Sequence, residues 1–212
     1  MKTKNKLLKF ICRQSIRSFL AGIMIGIGGL AYVVSGSPWV FPIGLLVICA
    51  GNLTLFTGKI CYLDQEWWSY LIIYVFNMLG AASMGLMARF TKPGFVDKVS
   101  GMCDVKMHES MLQLAILSML CNLMIFIAVE CWRVWGIKNM MYSFQNERIT
   151  LVGMAGLIFA TTIFVICGFE HCIANAFYFA FAGMMPSIWF LIVNVLFNAV
   201  GGILANMAFN KL

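Results

Sequence analysis

Charged residues are spread so unevenly along this chain that they mark out its elements. None occurs at 18–58, 67–88, 110–129, 149–169 or 171–210, and these uncharged stretches are strongly apolar. About 20 apolar residues in helical form cross a bilayer core about 30 Å thick, so each stretch holds at least one crossing. The first contains Ser35-Gly36-Ser37-Pro38 and the last contains Met184-Met185-Pro186-Ser187. Both are turn signals that divide their segments in two. Six spans result, near 16–34, 39–63, 67–88, 108–131, 148–183 and 187–209.

The fifth span is too long. From Arg148 to Gly183 it would run about 54 Å as one helix at 1.5 Å per residue, well beyond the apolar core. Its middle also holds Gly168-Phe169-Glu170-His171. A carboxylate at that depth is costly unless it faces protein or water. A helix broken at this glycine, with the break lining a cavity, resolves both problems. The second span has a quieter version, in which Gly51 and Gly58 bracket the polar Asn52, Thr54 and Thr57. It reads either as a second break or as a helix that ends at Gly58 before an interfacial loop.

Two of the spans repeat. Phe76-Asn77-Met78-Leu79-Gly80 in the third answers Phe197-Asn198-Ala199-Val200-Gly201 in the sixth, 121 positions later. The same offset carries Leu53–Gly58 onto Ala174–Phe179. The chain therefore divides into halves at about 16–88 and 108–209 with three spans each, and an odd number of spans makes the repeat inverted. Inverted repeats with discontinuous helices at matching places put a transport path near the midplane.

Composition agrees and narrows the class. Of 212 residues, 62% are hydrophobic and 11% charged, with mean hydropathy +0.90. Soluble domains carry about 25% charged residues, and disorder needs low hydrophobicity, so both are excluded. No room remains for a sizeable soluble domain, and residues 1–212 read as one integral membrane domain. The eight cysteines form no Cys-x-x-Cys pair and there are two histidines, so no metal site, cofactor or disulfide framework is expected. Eleven basic residues fall on the side of both termini and four (Arg89, Lys92, Lys98, Lys106) on the other. The positive-inside rule puts both termini in the cytoplasm of a multi-pass cell-membrane protein, with 92–106 external. Residues 1–15 carry no small-residue cleavage site and read as a cytoplasmic amphipathic segment for anionic headgroups; lipid is the partner implied, and no nucleic acid.

The segment Gly168-Phe169-Glu170-His171-Cys172-Ile173-Ala174-Asn175-Ala176-Phe177 resembles the signature of the formate–nitrite transporter family. Leu55-Phe56-Thr57-Gly58, Cys121-Asn122 and the two Asn-x-x-Gly segments are similar to further family motifs, and the likeness covers the chain from Arg17 onward. It implies an all-α membrane protein of six transmembrane helices, an aquaporin-like inverted repeat with two broken helices, assembled as a homopentamer with one pore per protomer. Such pores pass small monovalent anions such as formate, nitrite or hydrosulfide. On this likeness His171 is the central pore histidine and Thr57 its facing hydroxyl. Phe41, Leu45, Leu55, Phe56 and Phe164 form two apolar constrictions, and Lys106, Asn122, Glu170 and Asn175 a polar network. The chain departs from the family at Thr54, where Glu is common, and at Lys59, where Asn is common.

The residues suit this chemistry. An anion entering an apolar slit loses hydration at a cost of many kcal/mol. Fixed positive charge at a mouth can concentrate anions, and Lys106, expected at the outer end of span four, suits that role. Histidine has the side-chain pKa nearest physiological pH, and can share a proton with the permeant. A neutral-solute channel, for ammonia above all, is the alternative. An intramembrane enzyme would need an orienting group and an oxyanion site beside Cys172 and His171, and neither is recognisable.

Overall fold

The computed structural model describes residues 2–137 and 147–209, and among them there are helices and no strand. The α-helices are α1 (Lys2–Ser35), α2 (Pro42–Ala50), α3 (Phe56–Ile60), α4 (Trp67–Thr91), α5 (Val96–Met107), α6 (Met111–Glu130), α7 (Glu147–Ile166), α8 (Cys172–Ala182) and α9 (Ile188–Phe209). A π-helical turn at Cys131–Ile137 continues α6. Among the described residues, four helical stretches are long and apolar enough to cross a membrane: Leu7–Ser35, Trp67–Thr91, Met111–Val134 and Ile188–Phe209. The other two spans read from the sequence each consist of two helices with a break between them. Lys138 and Lys211, two of the basic residues that set the expected orientation, lie outside the described residues.

Three differences from the sequence reading have local causes. No Gly or Pro interrupts residues 2–21, so α1 runs unbroken from Lys2 to Ser35 instead of starting as a separate surface segment. Within the 92–106 segment Pro93 opens a short 3₁₀ turn and α5 follows, packed on α8. Lys106 therefore sits in the last turn of α5, not at the start of the next span. The third difference is the register of the repeat, described below.

Helix faces are arranged for an apolar solvent. α4 buries Ser69, Asn77, Gly80 and Gly85 and exposes Leu71, Val75, Leu79 and Phe90. α9 buries Asn194, Asn198, Gly201 and Gly202 and exposes Ile192, Leu196, Val200 and Leu204. This reverses the amphipathicity of a helix in water. Small residues let backbones approach closely where lipid offers no hydrophobic drive to pack. α4 packs along α1, and α9 along α6, in this way. A Cβ on Gly80 would lie 2.1 Å from the Phe19 carbonyl oxygen, and one on Gly201 2.3 Å from that of Met119.

The two breaks are built alike. α2 ends with Gly51 N–H donating to Val47 O (2.8 Å), Asn52 to Cys49 O (3.3 Å) and Leu53 to Ile48 O (2.9 Å). α7 ends with Cys167 donating to Ile163 O (2.9 Å), Gly168 to Val165 O (3.2 Å) and Phe169 to Phe164 O (3.1 Å). Each is a Schellman stop, with a left-handed residue at the turn: Asn52 at φ +49° and Gly168 at φ +65°. The offset between these matched bonds is 116 positions. The sequence offset of 121, taken from the Asn-x-x-Gly pairs, carried Leu53 five residues too far, because the connections between break and following span differ in length.

Candidate pore site

Each break leaves backbone groups without helical partners, and one asparagine holds each set. Asn77 of α4 accepts from Phe56 N–H at 2.7 Å and donates to the carbonyls of Thr54 (2.9 Å) and Ser18 (2.6 Å). Asn198 of α9 accepts from Cys172 N–H at 2.9 Å and donates to the carbonyls of Glu170 (2.8 Å) and Ser118 (2.7 Å). The two clamps make the same three bonds. They direct the starts of α3 and α8 toward each other, which brings the residues that open these helices into contact.

That contact is His171 against Thr57. His171 is the N-cap of α8. Its Nδ1 accepts from Ile173 N–H (3.2 Å) and Ala174 N–H (3.1 Å). With Nδ1 occupied as an acceptor, the ring proton of the neutral imidazole belongs on Nε2. Nε2 lies 3.1 Å from Thr57 Oγ1, so it donates there and leaves the threonine's own hydroxyl proton free to turn elsewhere. Both side chains are buried.

Apolar side chains flank the pair. Phe164 lies 5.9 Å from the His171 ring, centroid to centroid, and meets Phe41 edge-on at 5.2 Å. Leu45 and Leu55 line a cavity of about 180 Å³ together with Lys59, Tyr62 and Arg133. Phe56 packs on Tyr74 of α4, with ring centroids 5.2 Å apart.

Lys106, Glu170 and Asn175 come together as one polar chain. Glu170 Oε1 pairs with Lys106 Nζ, and Oε2 accepts from Asn175 Nδ2 at 2.7 Å. Asn175 also donates to Asn194 Oδ1 (2.9 Å), and Asn194 donates to Ser118 Oγ (2.8 Å). The Glu170 side chain is 1% exposed and that of Lys106 14%. Asn122 stands apart: its Nδ2 approaches Cys61 Sγ at 3.7 Å and its buried Oδ1 has no hydrogen-bond partner among the described residues. Asn77, Asn194, Asn198 and Ser118 were not singled out as site residues, although the repeated Asn-x-x-Gly segments already pointed to two of them.

Two opposed half-helices meeting at a buried His–Thr pair, inside a bundle with lipid-suited faces, make this a multi-pass membrane protein of broken-helix architecture. The chain belongs to the formate/nitrite transporter family, whose profile it matches over residues 2–211. Formate channel FocB of Escherichia coli (strain K12) is 29% identical over 83% of this chain and 50% of its own length. This chain thus spans about half the length of that relative. The uncharacterized transporter YwcJ of Bacillus subtilis (strain 168) is 27% identical over 85% of this chain and 77% of its own length. A solved pentameric formate channel with formate bound is 20% identical, covers 96% of this chain and 95% of its own, and superposes with a TM-score of 0.74.

Proposed function

We propose that this chain is a cell-membrane channel for small monovalent anions of the formate and nitrite kind, working as a homopentamer with one pore per protomer. The observation that carries the reading is the 3.1 Å contact between His171 and Thr57 at the meeting of the two breaks. Counting each broken pair as one crossing gives six crossings in two inverted halves, with both termini in the cytoplasm.

A permeant anion must pass the apolar side chains on either side of this pair. Phe41 and Phe164 stand toward the α5 end, and Leu45 and Leu55 toward the Lys59 end. Neither pair offers a hydrogen bond, so only a permeant able to shed its water passes, at a desolvation cost that rises steeply with charge. The His171–Thr57 pair supplies what the rings and leucines lack. Nε2–H and the Thr57 hydroxyl are donors, and the N-terminus of α8 adds partial positive charge behind them. An anion held there takes Nε2–H from Thr57 Oγ1 and accepts from the Thr57 hydroxyl as well, exchanging water for two donors. Lys106, tied to Glu170, sits at the α5 end of the same polar chain.

The reading is tested by formate efflux from proteoliposomes. His171→Phe removes the cap of α8 as well as both nitrogens, so a loss there mixes folding with function. His171→Asn keeps a capping oxygen and removes the Nε2 donor. We expect His171→Asn to assemble normally and to pass formate at least about tenfold more slowly, in keeping with loss of one charge-assisted hydrogen bond. Wild-type formate flux in a well-assembled His171→Asn protein would end the central role of this residue. Ammonia flux without formate flux in the wild type would replace the anion by a neutral solute.

A further inference from the structure

At the α5 end, one acid has been given no part. Glu109 lies in the short connection between α5 and α6, half-buried. Its Oε2 is the one carboxylate oxygen among the described residues that is buried without a hydrogen-bond partner. It lines a cavity of about 370 Å³ together with Asp104, Val105, His108 and Gln113. The charges of Lys106 and Glu170 both act on it.

We propose that Glu109 is a proton-binding residue at the α5 mouth, and that its protonation sets the rate at which anions enter past the Lys106–Glu170 pair. The inference rests on the anion-channel reading.

The titratable and charged groups around Glu109 are Asp104 and Lys106 from α5, His108 from the connection, and Glu170 from the α7–α8 loop. From α6 comes only the neutral Gln113. Lys106 is already matched by Glu170, so their sum is zero. When Glu109 carries a proton, an approaching anion meets that neutral pair and a carboxyl O–H able to donate. When Glu109 is ionised, its carboxylate and that of Glu170 compete for one ammonium, and the mouth carries one more negative charge beside that of Asp104. A buried carboxylate oxygen without a donor is unfavourable, and the neighbouring Glu170 charge adds to this. Together they push the Glu109 carboxyl up to about 7, with Lys106 acting the other way. The titration falls where a cell's surroundings vary. A unit charge a few ångströms from the permeant, at the near-aqueous dielectric of an open mouth, changes entry by roughly tenfold.

The experiment is formate uptake into proteoliposomes at low ionic strength, with the α5 side held at pH values from 6 to 8. Formic acid itself grows scarcer with pH in every protein, so the readout is the ratio of variant to wild-type flux at each pH. Glu109→Gln, and Glu109→Ala as a second variant that buries no new polar atom, should equal wild type near pH 6 and exceed it roughly tenfold near pH 8. His108→Gln should keep the wild-type response. A ratio for both Glu109 variants that stays flat across this range overturns the inference alone, as does a response that disappears with His108→Gln and persists without Glu109. Absence of formate flux in the wild type at every pH overturns the channel reading, and the inference with it.

Discussion

Lys106 reads in the sequence as a cation poised at a pore mouth. In the fold its ammonium is tied to a carboxylate whose side chain is 1% exposed. Removing one partner of a buried pair leaves an uncompensated charge, which costs about 3–5 kcal/mol. Lys106→Gln should therefore lower the unfolding temperature of the detergent-solubilised protein, and Lys106→Gln with Glu170→Gln should restore most of it. A double variant no more stable than Lys106→Gln would show that the pair contributes through geometry and not through compensation. Glu109 makes a separate stability prediction. Its folded carboxyl holds a proton up to about 7, against an ordinary value of 4.5. The folded state thus binds more protons than the unfolded one between these values, and stability falls as pH rises through the window. Wild type should lose thermal stability from pH 4.5 to 7 relative to Glu109→Gln; equal pH profiles of melting temperature would count against a raised carboxyl.

At the scale of elements, the breaks in the second and fifth spans hold because an asparagine from another helix binds backbone groups that each break exposes. Asn77 and Asn198 each supply three buried hydrogen bonds to groups that a helix break exposes. A buried donor or acceptor left unsatisfied costs about 1–3 kcal/mol, so Asn77→Ala and Asn198→Ala should each lose several kcal/mol. Reduced yield of folded protein and reduced melting temperature would register this, and unchanged values would mean that the breaks are held by packing alone. Gly80→Ala and Gly201→Ala should separate α1 from α4 and α6 from α9, since each new Cβ would sit about 2 Å from a carbonyl oxygen. The Asn-x-x-Gly pairs and the excess length of the fifth span were legible in sequence because helix length and small-residue spacing are local properties. The register of the breaks was not, since it depends on Schellman stops set by Asn52 and Gly168. Nor was the placement of Phe56 against Tyr74, which depends on how α4 passes α3.

For the molecule as a whole, orientation rests on the eleven-to-four split of basic residues. Cys103 would be a natural reporter of the α5 side, but it is fully buried and will not react. Gly101 on the same helix has open space where a Cβ would stand, so Gly101→Cys is the better probe. In a background lacking the exposed Cys167, an impermeant thiol reagent applied to intact cells should label Gly101→Cys and spare the exposed Cys12. Labelling of Cys12 alone would invert the topology. The exposed leucines and valines of α4 and α9 need lipid or neighbouring copies to cover them, which is the whole-molecule counterpart of their buried asparagines.

The sequence alone determined that this is a multi-span helical membrane protein, where most of its spans lie, and that the fifth is broken beside Glu170 and His171. These follow from hydropathy, charge position and the fixed rise of a helix, all of which can be counted along the chain. Its likeness to a transporter family marked out His171 and Thr57, which lie 114 positions apart. Only the tertiary structure decided that they touch, because that contact requires two opposed breaks, each clamped by an asparagine from another helix. The same reason made Lys106 a partner of Glu170 and left Glu109 Oε2 without a hydrogen bond among the described residues: hydrogen bonds and charges inside a bundle are settled by which helices pack side by side, and no local pattern encodes that.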